Sequence, residues 1–205
     1  MSPKPDLTLR YMTLADVPQV TAIDRLSFDL PWSERSYAYE INESEHSFMV
    51  VLEASRELPI AGWRRLLGLN GGTRIERRIV GYGGLWNIGP EAHISTIAVH
   101  PQARGRGWGE VLLLAMMRRA LALRAVEVVL EVRVSNERAQ NLYRKHHFRT
   151  VGVKQGYYRN NDEDAYDMRL NIENAAARQQ IEASYQALYE QHGFHDSYTR
   201  HKPPG

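Results

Sequence analysis

Hydrophobic and polar residues alternate in several short runs of this chain and recur with helical spacing in others. Alternation predicts strands at 7–12, 46–54, 77–88, 92–100, 126–134, 148–155 and 162–170. Helical spacing predicts two helices between the first two strands, with Thr13 and Ser33 as N-caps, and further helices at 110–124 and 136–147. This order of elements predicts a mixed α/β sheet, mostly antiparallel, with helices on both faces.

Two segments do not fit this order. Residues 55–76 carry four glycines and a proline, which indicates a hairpin insertion or a flexible excursion. After residue 170, an apolar stripe predicts a helical extension over 171–193, and residues 195–205 are predicted to be a loose tail. We therefore expect a main domain at 1–170 and an appendage at 171–205.

Composition narrows the function classes. The 205 residues suffice for one domain with a sizeable core. The 26 basic and 24 acidic residues give a net charge of +2, which argues against a protein built mainly to bind nucleic acid. The absence of cysteine excludes disulfides, thiolate catalysis and thiolate metal sites. The chain begins without a secretory apolar segment and has no run long enough to span a membrane, so we expect a cytoplasmic protein.

Three glycines, Gly105, Gly107 and Gly109, stand where the strand at 92–100 gives way to a helix. Their spacing fits neither the dinucleotide-binding G-x-G-x-x-G pattern nor the G-K-[ST] ending of a nucleotide triphosphate loop. Bare amides at a helix N-terminus, with Arg104 and Arg106 nearby, do predict an anion site. The alternative is a flexible connection with solvated arginines.

The run RGRGWG (104–109) resembles the R/Q-x-x-G-x-G/A pyrophosphate loop of the GNAT superfamily of N-acetyltransferases. The runs PWS (31–33), LEVRVSNERAQNLYRKHHF (130–148) and GYYRNNDEDAYDM (156–168) resemble N-terminal protein acetyltransferases of the RimI type and their archaeal and eukaryotic relatives. The strand HISTIAV (93–99) is closer to the archaeal and eukaryotic form. The resemblance covers residues 7–170, apart from the insertion at 55–76, and implies the GNAT fold.

The resemblance also implies acetyl-coenzyme A (acetyl-CoA) as cosubstrate and no metal. Backbone groups of Ile97, Ala98 and Val99 would hold the pantetheine arm and supply the oxyanion donor. We expect a side chain at Gly107 to block the pyrophosphate with little loss of fold. The full set of expected cofactor contacts is Ile97, Ala98, Val99, Arg104, Gly105, Arg106, Gly107, Trp108, Gly109, Glu110, Asn136 and Tyr143.

Acetyl transfer to an amine needs a base for the amine, a stabilised oxyanion and a proton for the departing thiolate. Glu131 is the candidate base, acting through water, although the strand alternation also fits a solvated glutamate. Tyr143 is the candidate acid, although an aromatic residue on this helical stripe also fits the core. His93 would assist the base or serve a structural role. Because there is no cysteine to carry the acetyl group, we expect direct transfer in a ternary complex.

We expect the substrate groove to be closed by Pro31, Trp32, Tyr157 and Tyr158. The alternative is that the aromatic residues among them are simply buried in the core. The expected substrate is a protein N-terminus, above all that of a ribosomal protein beginning with alanine. One alternative is acetylation of a small amine or of a lysine. The other is a non-catalytic adaptor that binds acetyl-CoA. We expect no membrane partner, no direct nucleic-acid binding, and a monomer or weak dimer.

Two weaker candidates lie outside the resemblance. His192 and His195 are two histidines without supporting carboxylates or thiolates, a pattern more typical of surface residues than of a metal site. Residues 56–78 contain six arginines and two glutamates. This segment would contact RNA or an acidic partner, or form a solvated loop.

Overall fold

The computed structural model describes residues 6–59 and 73–199. Its helices are α1 (Val17–Arg25), α2 (Glu34–Asn42), α3 (Trp108–Ala122), α4 (Glu137–Lys145) and α5 (Ala175–His192). Its strands are β1 (Asp6–Tyr11), β2 (Ser47–Pro59), β3 (Thr73–Ile88), β4 (Glu91–Val99), β5 (Glu127–Arg133), β6 (Arg149–Tyr158), β7 (Glu163–Asn171) and β8 (His195–Asp196). Within these ranges, every helix is too short or too polar to cross a bilayer.

One sheet joins the described strands in the order β6-β7-β5-β4-β3-β2-β1-β8. The β4–β5 and β1–β8 pairs are parallel, and the other neighbouring pairs are antiparallel. Successive residues of β2 point to opposite faces, so Val50 packs in a core with α3 and α5, whereas Val51 packs in a second core with α1 and α2. The predicted mixed, mostly antiparallel sheet with helices on both faces is confirmed.

The centre of the sheet contains a gap between β4 and β5. These parallel strands pair only over Glu91–Glu127, Ala92–Val128 and His93–Val129. Beyond His93, a bulge in the β3–β4 pairing leaves Ser95 without a partner in the register. A bulge bends its strand, so β4 turns away from β5 after it. The gap leaves one backbone edge of β4 unpaired where this strand leads into the glycine loop. This free edge is available to a ligand.

The described part of the 55–76 segment is a hairpin. Strands β2 and β3 stay in register as far as Pro59 and Thr73. Arg56 and Glu76 form an exposed ion pair across it, with 2.8 Å between nitrogen and oxygen. The predicted hairpin insertion therefore holds for the residues at its base, and positions 60–72 lie outside the described residues.

The prediction of a loose tail is wrong for the residues directly after α5. His195 and Asp196 form β8, which extends the sheet beside β1, and Phe194 and Tyr198 are buried. The buried Asp196 carboxylate accepts hydrogen bonds from the Tyr185 hydroxyl at 2.6 Å and the Thr199 amide at 2.9 Å. A segment of two paired residues is too short to show alternation, which is why its pattern was not predictive.

Candidate active site

Two adjoining cavities occupy the gap between β4 and β5. The loop cavity, of about 410 Å³, is lined by the glycine loop and the end of β4. The groove cavity, of about 350 Å³, is lined by β4, β5, the segment between α1 and α2, and the end of β6. The two share the lining residues Ser27, Phe28, Ile97, Asn136, Ala139 and Tyr143. They are therefore two compartments of one site.

The glycine loop depends on left-handed backbone at two positions. Gly105 and Gly107 both have φ of +82°, a conformation that costs other residues about 1–2 kcal/mol. Gly107 is the N-cap of α3, and a Cβ placed on it would lie 2.9 Å from His192 Nε2 at the end of α5. This contact argues against the expectation that a side chain at Gly107 leaves the fold nearly intact, because the substitution would require the His192 side chain to shift.

The structure separates the two arginines of the loop. Arg104 lines the loop cavity, where its Nε donates to the Val99 carbonyl at 3.1 Å and its Nη2 donates to Ser27 Oγ at 3.2 Å. The Arg106 guanidinium instead lies 5.2 Å from the centre of the Trp108 ring and lines a different cavity beside the base of the β2–β3 hairpin. Arg104 is thus the side chain that faces the predicted anion site, and Arg106 can reach it only through its backbone.

Glu110 lies in the first turn of α3 and also lines the loop cavity. Its carboxylate is bound by Lys145 at 2.6 Å and His146 at 2.8 Å, both from the end of α4. Burial opposes the ionisation of Glu110, but these two hydrogen bonds outweigh it and lower its pKa. This contact joins α3 to α4 beside the loop, a long-range pairing that the sequence pattern does not show.

The loop cavity suits an elongated ligand with phosphates at one end. The start of a 15-residue helix and the bare amides of the loop form an anion site, to which Arg104 adds a positive charge. Ile97, Ala98 and Val99 line the same cavity along the open edge of β4. Such an edge offers backbone donors and acceptors to an amide-bearing arm. These features fit coenzyme A, and Gly109 and Trp108 complete the wall.

Glu131 faces the groove cavity from β5. Behind it, His93 Nε2 lies 2.7 Å from Glu131 Oε2, and Lys154 of β6 contacts the other oxygen. Because a carboxylate can only accept, His93 is the donor. Burial would raise the pKa of Glu131, but the hydrogen bonds from His93 and Lys154 outweigh it and hold the pKa at about 2. Sequence reasoning found Glu131 and His93 and missed Lys154.

Tyr143 stands where the two cavities meet. Its side chain is buried, it lines both cavities, and burial raises its pKa above the usual range for a phenol. Its hydroxyl therefore keeps its proton at neutral pH. The helix that carries it is capped by Asn136, whose side chain accepts from the Ala139 amide at 3.1 Å.

Aromatic residues form opposite walls of the groove cavity. Trp32 stacks on Trp86 with 6.1 Å between ring centres, and the Trp32 amide donates to the buried Asp24 carboxylate at 2.6 Å. On the other wall, the Arg133 guanidinium lies 3.9 Å from the centre of the Tyr158 ring, and Tyr157 is half-exposed beside it. Trp32, Tyr157 and Tyr158 all line the cavity.

One predicted groove residue lies outside the cavity lining, and one residue that contacts the groove was not predicted. Pro31 is exposed and lies outside the cavity lining, so it shapes the turn before Trp32 and does not form the wall. Asp24, which no sequence motif marks, also accepts from the Tyr82 hydroxyl. A lone aspartate within a helix gives no sequence signal of contacts to residues 8 and 58 positions away.

The tail histidines line neither the loop cavity nor the groove cavity. His192 packs against Gly107, and His195 is exposed in β8. Across residues 6–59 and 73–199, histidines and carboxylates do not gather in groups of three that would hold a metal ion.

Comparisons with known proteins agree with this geometry. Residues 17–148 match the Acetyltransferase (GNAT) family. Over 169 residues the chain is 33% identical to the N-alpha-acetyltransferase RimI of Mycobacterium tuberculosis, covering 80% of this chain and 91% of that protein. It is 26% identical over 167 residues to the ribosomal protein bS18-alanine N-acetyltransferase of Salmonella typhimurium, covering 80% and 97%.

A solved structure shares the fold. The crystal structure of the ribosomal-protein-S18-alanine N-acetyltransferase from Escherichia coli superposes with a TM-score of 0.64 at 23% identity, covering 82% of this chain and 96% of that one.

Proposed function

This chain belongs to the GNAT family of acetyltransferases, and from that premise we propose that it transfers acetyl from acetyl-CoA to the N-terminal α-amino group of a protein. The observation that carries the proposal is the placement of Glu131 and Tyr143. Both face the groove cavity, and Tyr143 also faces the loop cavity. A candidate base and a candidate acid thus meet where the two compartments join.

Acetyl-CoA supplies an activated acetyl group on a thioester when it is bound. The loop at Gly105–Gly109 and Arg104 hold its pyrophosphate, and the edge of β4 at Ile97–Val99 aligns the pantetheine arm. A backbone amide of that edge stabilises the negative charge that develops on the acetyl oxygen. Rigid placement on a strand and a helix N-terminus is what makes such donors effective.

Glu131 receives the proton of the amine through water. An α-ammonium has a pKa of about 8, so it must lose a proton before it attacks. With its pKa at about 2, Glu131 stays ionised at neutral pH and takes up a proton only to pass it on to solvent. The Lys154 ammonium beside it disfavours a second cation, which helps the substrate amine to become neutral. His93 orients the carboxylate from behind.

Tyr143 serves the leaving sulfur. Because burial raises its pKa, its hydroxyl remains protonated and donates a hydrogen bond that stabilises the departing thiolate. The thiolate then takes up a proton from water.

The groove favours a peptide N-terminus over a polycation. Its carboxylates already have partners: Asp24 binds Tyr82 and the Trp32 amide, Asp29 binds Asn160, and Glu131 binds His93 and Lys154. A polyamine needs several free carboxylates. The half-exposed aromatic side chains of Phe28 and Tyr157 at the rim suit the side chains that follow a peptide amine.

Within this class, we propose a ribosomal protein with N-terminal alanine as the substrate. The support is the name of the Salmonella typhimurium relative and the RimI name of the Mycobacterium tuberculosis relative. A steady-state assay would compare hexapeptides beginning with alanine, serine, methionine or leucine against spermidine and an N-terminally blocked lysine peptide. We expect the alanine peptide to give the highest kcat/KM. Equal or faster turnover of spermidine or of the blocked lysine peptide would refute the proposal.

A further inference from the structure

A further cavity, of about 600 Å³, lies between the start of α5 and the sheet at β6 and β7. It shares no lining residue with the loop cavity or the groove cavity. Its described lining contains no carboxylate and is rich in basic side chains, and we call it the basic cavity: Arg144, His146, His147, Arg149 and Arg169.

The positive charge of the basic cavity is only partly neutralised by the protein. Arg169 is bound by Glu91, Glu127 and Asp167, with nitrogen–oxygen distances of 3.0–3.1 Å. Arg144 donates only to neutral groups, Gln140 Oε1 at 2.8 Å and Asn141 Oδ1 at 3.2 Å. Arg149 has no ion pair with any residue in the described ranges. His146 is paired with Glu110 at 2.8 Å. The exposed side chains of Arg144 and Arg149 are therefore the two guanidinium groups of the lining that have no carboxylate partner among the described residues.

Strand pairing places Arg149 of β6 directly opposite Arg169 of β7 in the antiparallel register. Because Arg169 already has three carboxylate partners, Arg149 is the guanidinium of this pair that is left for an anion.

His147, which also lines the basic cavity, has an unfavourable backbone conformation. It follows α4 with φ of +65°, a left-handed conformation that usually belongs to glycine at a helix end. A non-glycine residue pays a conformational cost there. The His147 ring reaches across the cavity to the side chain of Gln180 on α5.

We propose that the basic cavity binds a phosphate-bearing small molecule of nucleotide size. Guanidinium groups bind phosphate oxygens in pairs with matched geometry. Neutral donors from Asn171, Gln180 and Ser184 line the same space. The volume lies within the usual range of small-ligand pockets. Arg144 and Arg149 line the same cavity, and we therefore propose a small molecule and not an RNA strand as its occupant.

The test uses the full-length protein saturated with coenzyme A, so that the loop cavity is filled. Calorimetric titrations with inorganic phosphate, pyrophosphate and ADP measure binding to the wild type, to Arg144→Gln/Arg149→Gln and to Arg25→Gln/Arg35→Gln. The last pair removes the same charge from the exposed surfaces of α1 and α2. We expect one site per chain, weakened at least about tenfold in the first double variant and unchanged in the control.

The probes distinguish the sources of the phosphate. Similar affinity for phosphate and ADP would identify free phosphate as the ligand, and tighter binding of ADP would identify a nucleotide. His147→Gly supplies an independent arm, because it should raise the melting temperature while weakening the same binding. The proposal is overturned if no phosphate probe binds, if Arg144→Gln/Arg149→Gln binds as tightly as wild type, or if only an RNA oligonucleotide binds.

Discussion

The contact between His192 and the glycine loop predicts that two similar glycines respond differently to the same substitution. Gly105 and Gly107 share φ of +82°, but a Cβ on Gly105 has no atom within 4 Å, whereas a Cβ on Gly107 lies 2.9 Å from His192 Nε2. That nitrogen is buried although the residue is partly exposed. The carboxy-terminal helix α5 thereby contacts the loop at Gly107 and not at Gly105.

The magnitudes follow from these two distances. Gly105→Ala should cost the left-handed conformational penalty alone, about 1–2 kcal/mol. Gly107→Ala should cost the same penalty plus overpacking of about 1–3 kcal/mol. Chemical denaturation without coenzyme A measures both free energies of unfolding. For a protein of this size, each kcal/mol also lowers the melting temperature by roughly 2–4 °C.

A double-mutant cycle isolates the contact. His192→Ala removes the ring, so Gly107→Ala should cost less in that background than in the wild type, by about 1–2 kcal/mol. The cost of Gly105→Ala should be the same in both backgrounds, which provides the control. Equal costs for the two single glycine variants, or strict additivity of Gly107→Ala with His192→Ala, would show that α5 does not support the loop.

Tyr143→Phe should lower kcat roughly a hundredfold and leave the affinity for coenzyme A unchanged, because only the hydrogen-bond donor is lost; an unaltered kcat would contradict this role. Trp32→Ala should raise KM for the peptide and leave KM for acetyl-CoA unchanged. A rise in KM for acetyl-CoA would show that Trp32 does not belong to the peptide groove alone. Asp196→Ala should lower the free energy of unfolding by about 3 kcal/mol, since it unpairs buried donors; a neutral effect would mean that the tail is loosely attached. Burial opposes ionisation of Glu131, but His93 and Lys154 lower its pKa from 4.5 to about 2, so its stabilisation is present above 4.5 and lost as the pH falls. The unfolding free energy of Glu131→Gln should therefore decline less steeply from pH 4.5 to pH 2 than that of the wild type, and identical slopes would refute the pairing.

Local patterns predicted the elements that local forces determine. The β-branched run around Glu131 forms β5, and Asn136 caps α4 because its side chain meets an amide three residues ahead. The bend of β4 at Ser95 and the resulting gap were beyond prediction, because a bulge depends on the partner strand.

The sequence pattern indicated the chain positions of the candidate site residues and not the contacts between them. The motif indicated Glu131, His93 and Tyr143, yet Lys154 reaches Glu131 from 23 residues further along the chain. The alternation of Arg104 and Arg106 within the loop also gave no sign that their guanidinium groups point into different cavities. Such pairings are set by packing between elements distant in sequence.

The most direct test of the central proposal is to locate the acetyl group on a peptide that offers both amines. A peptide with a free N-terminal alanine and an internal lysine is incubated with acetyl-CoA and the protein, and tandem mass spectrometry identifies the acetylated nitrogen. The account predicts acetylation of the α-amine, with a rate roughly a hundredfold lower for Glu131→Gln. Acetylation of the lysine, or a wild-type rate for Glu131→Gln, would contradict it.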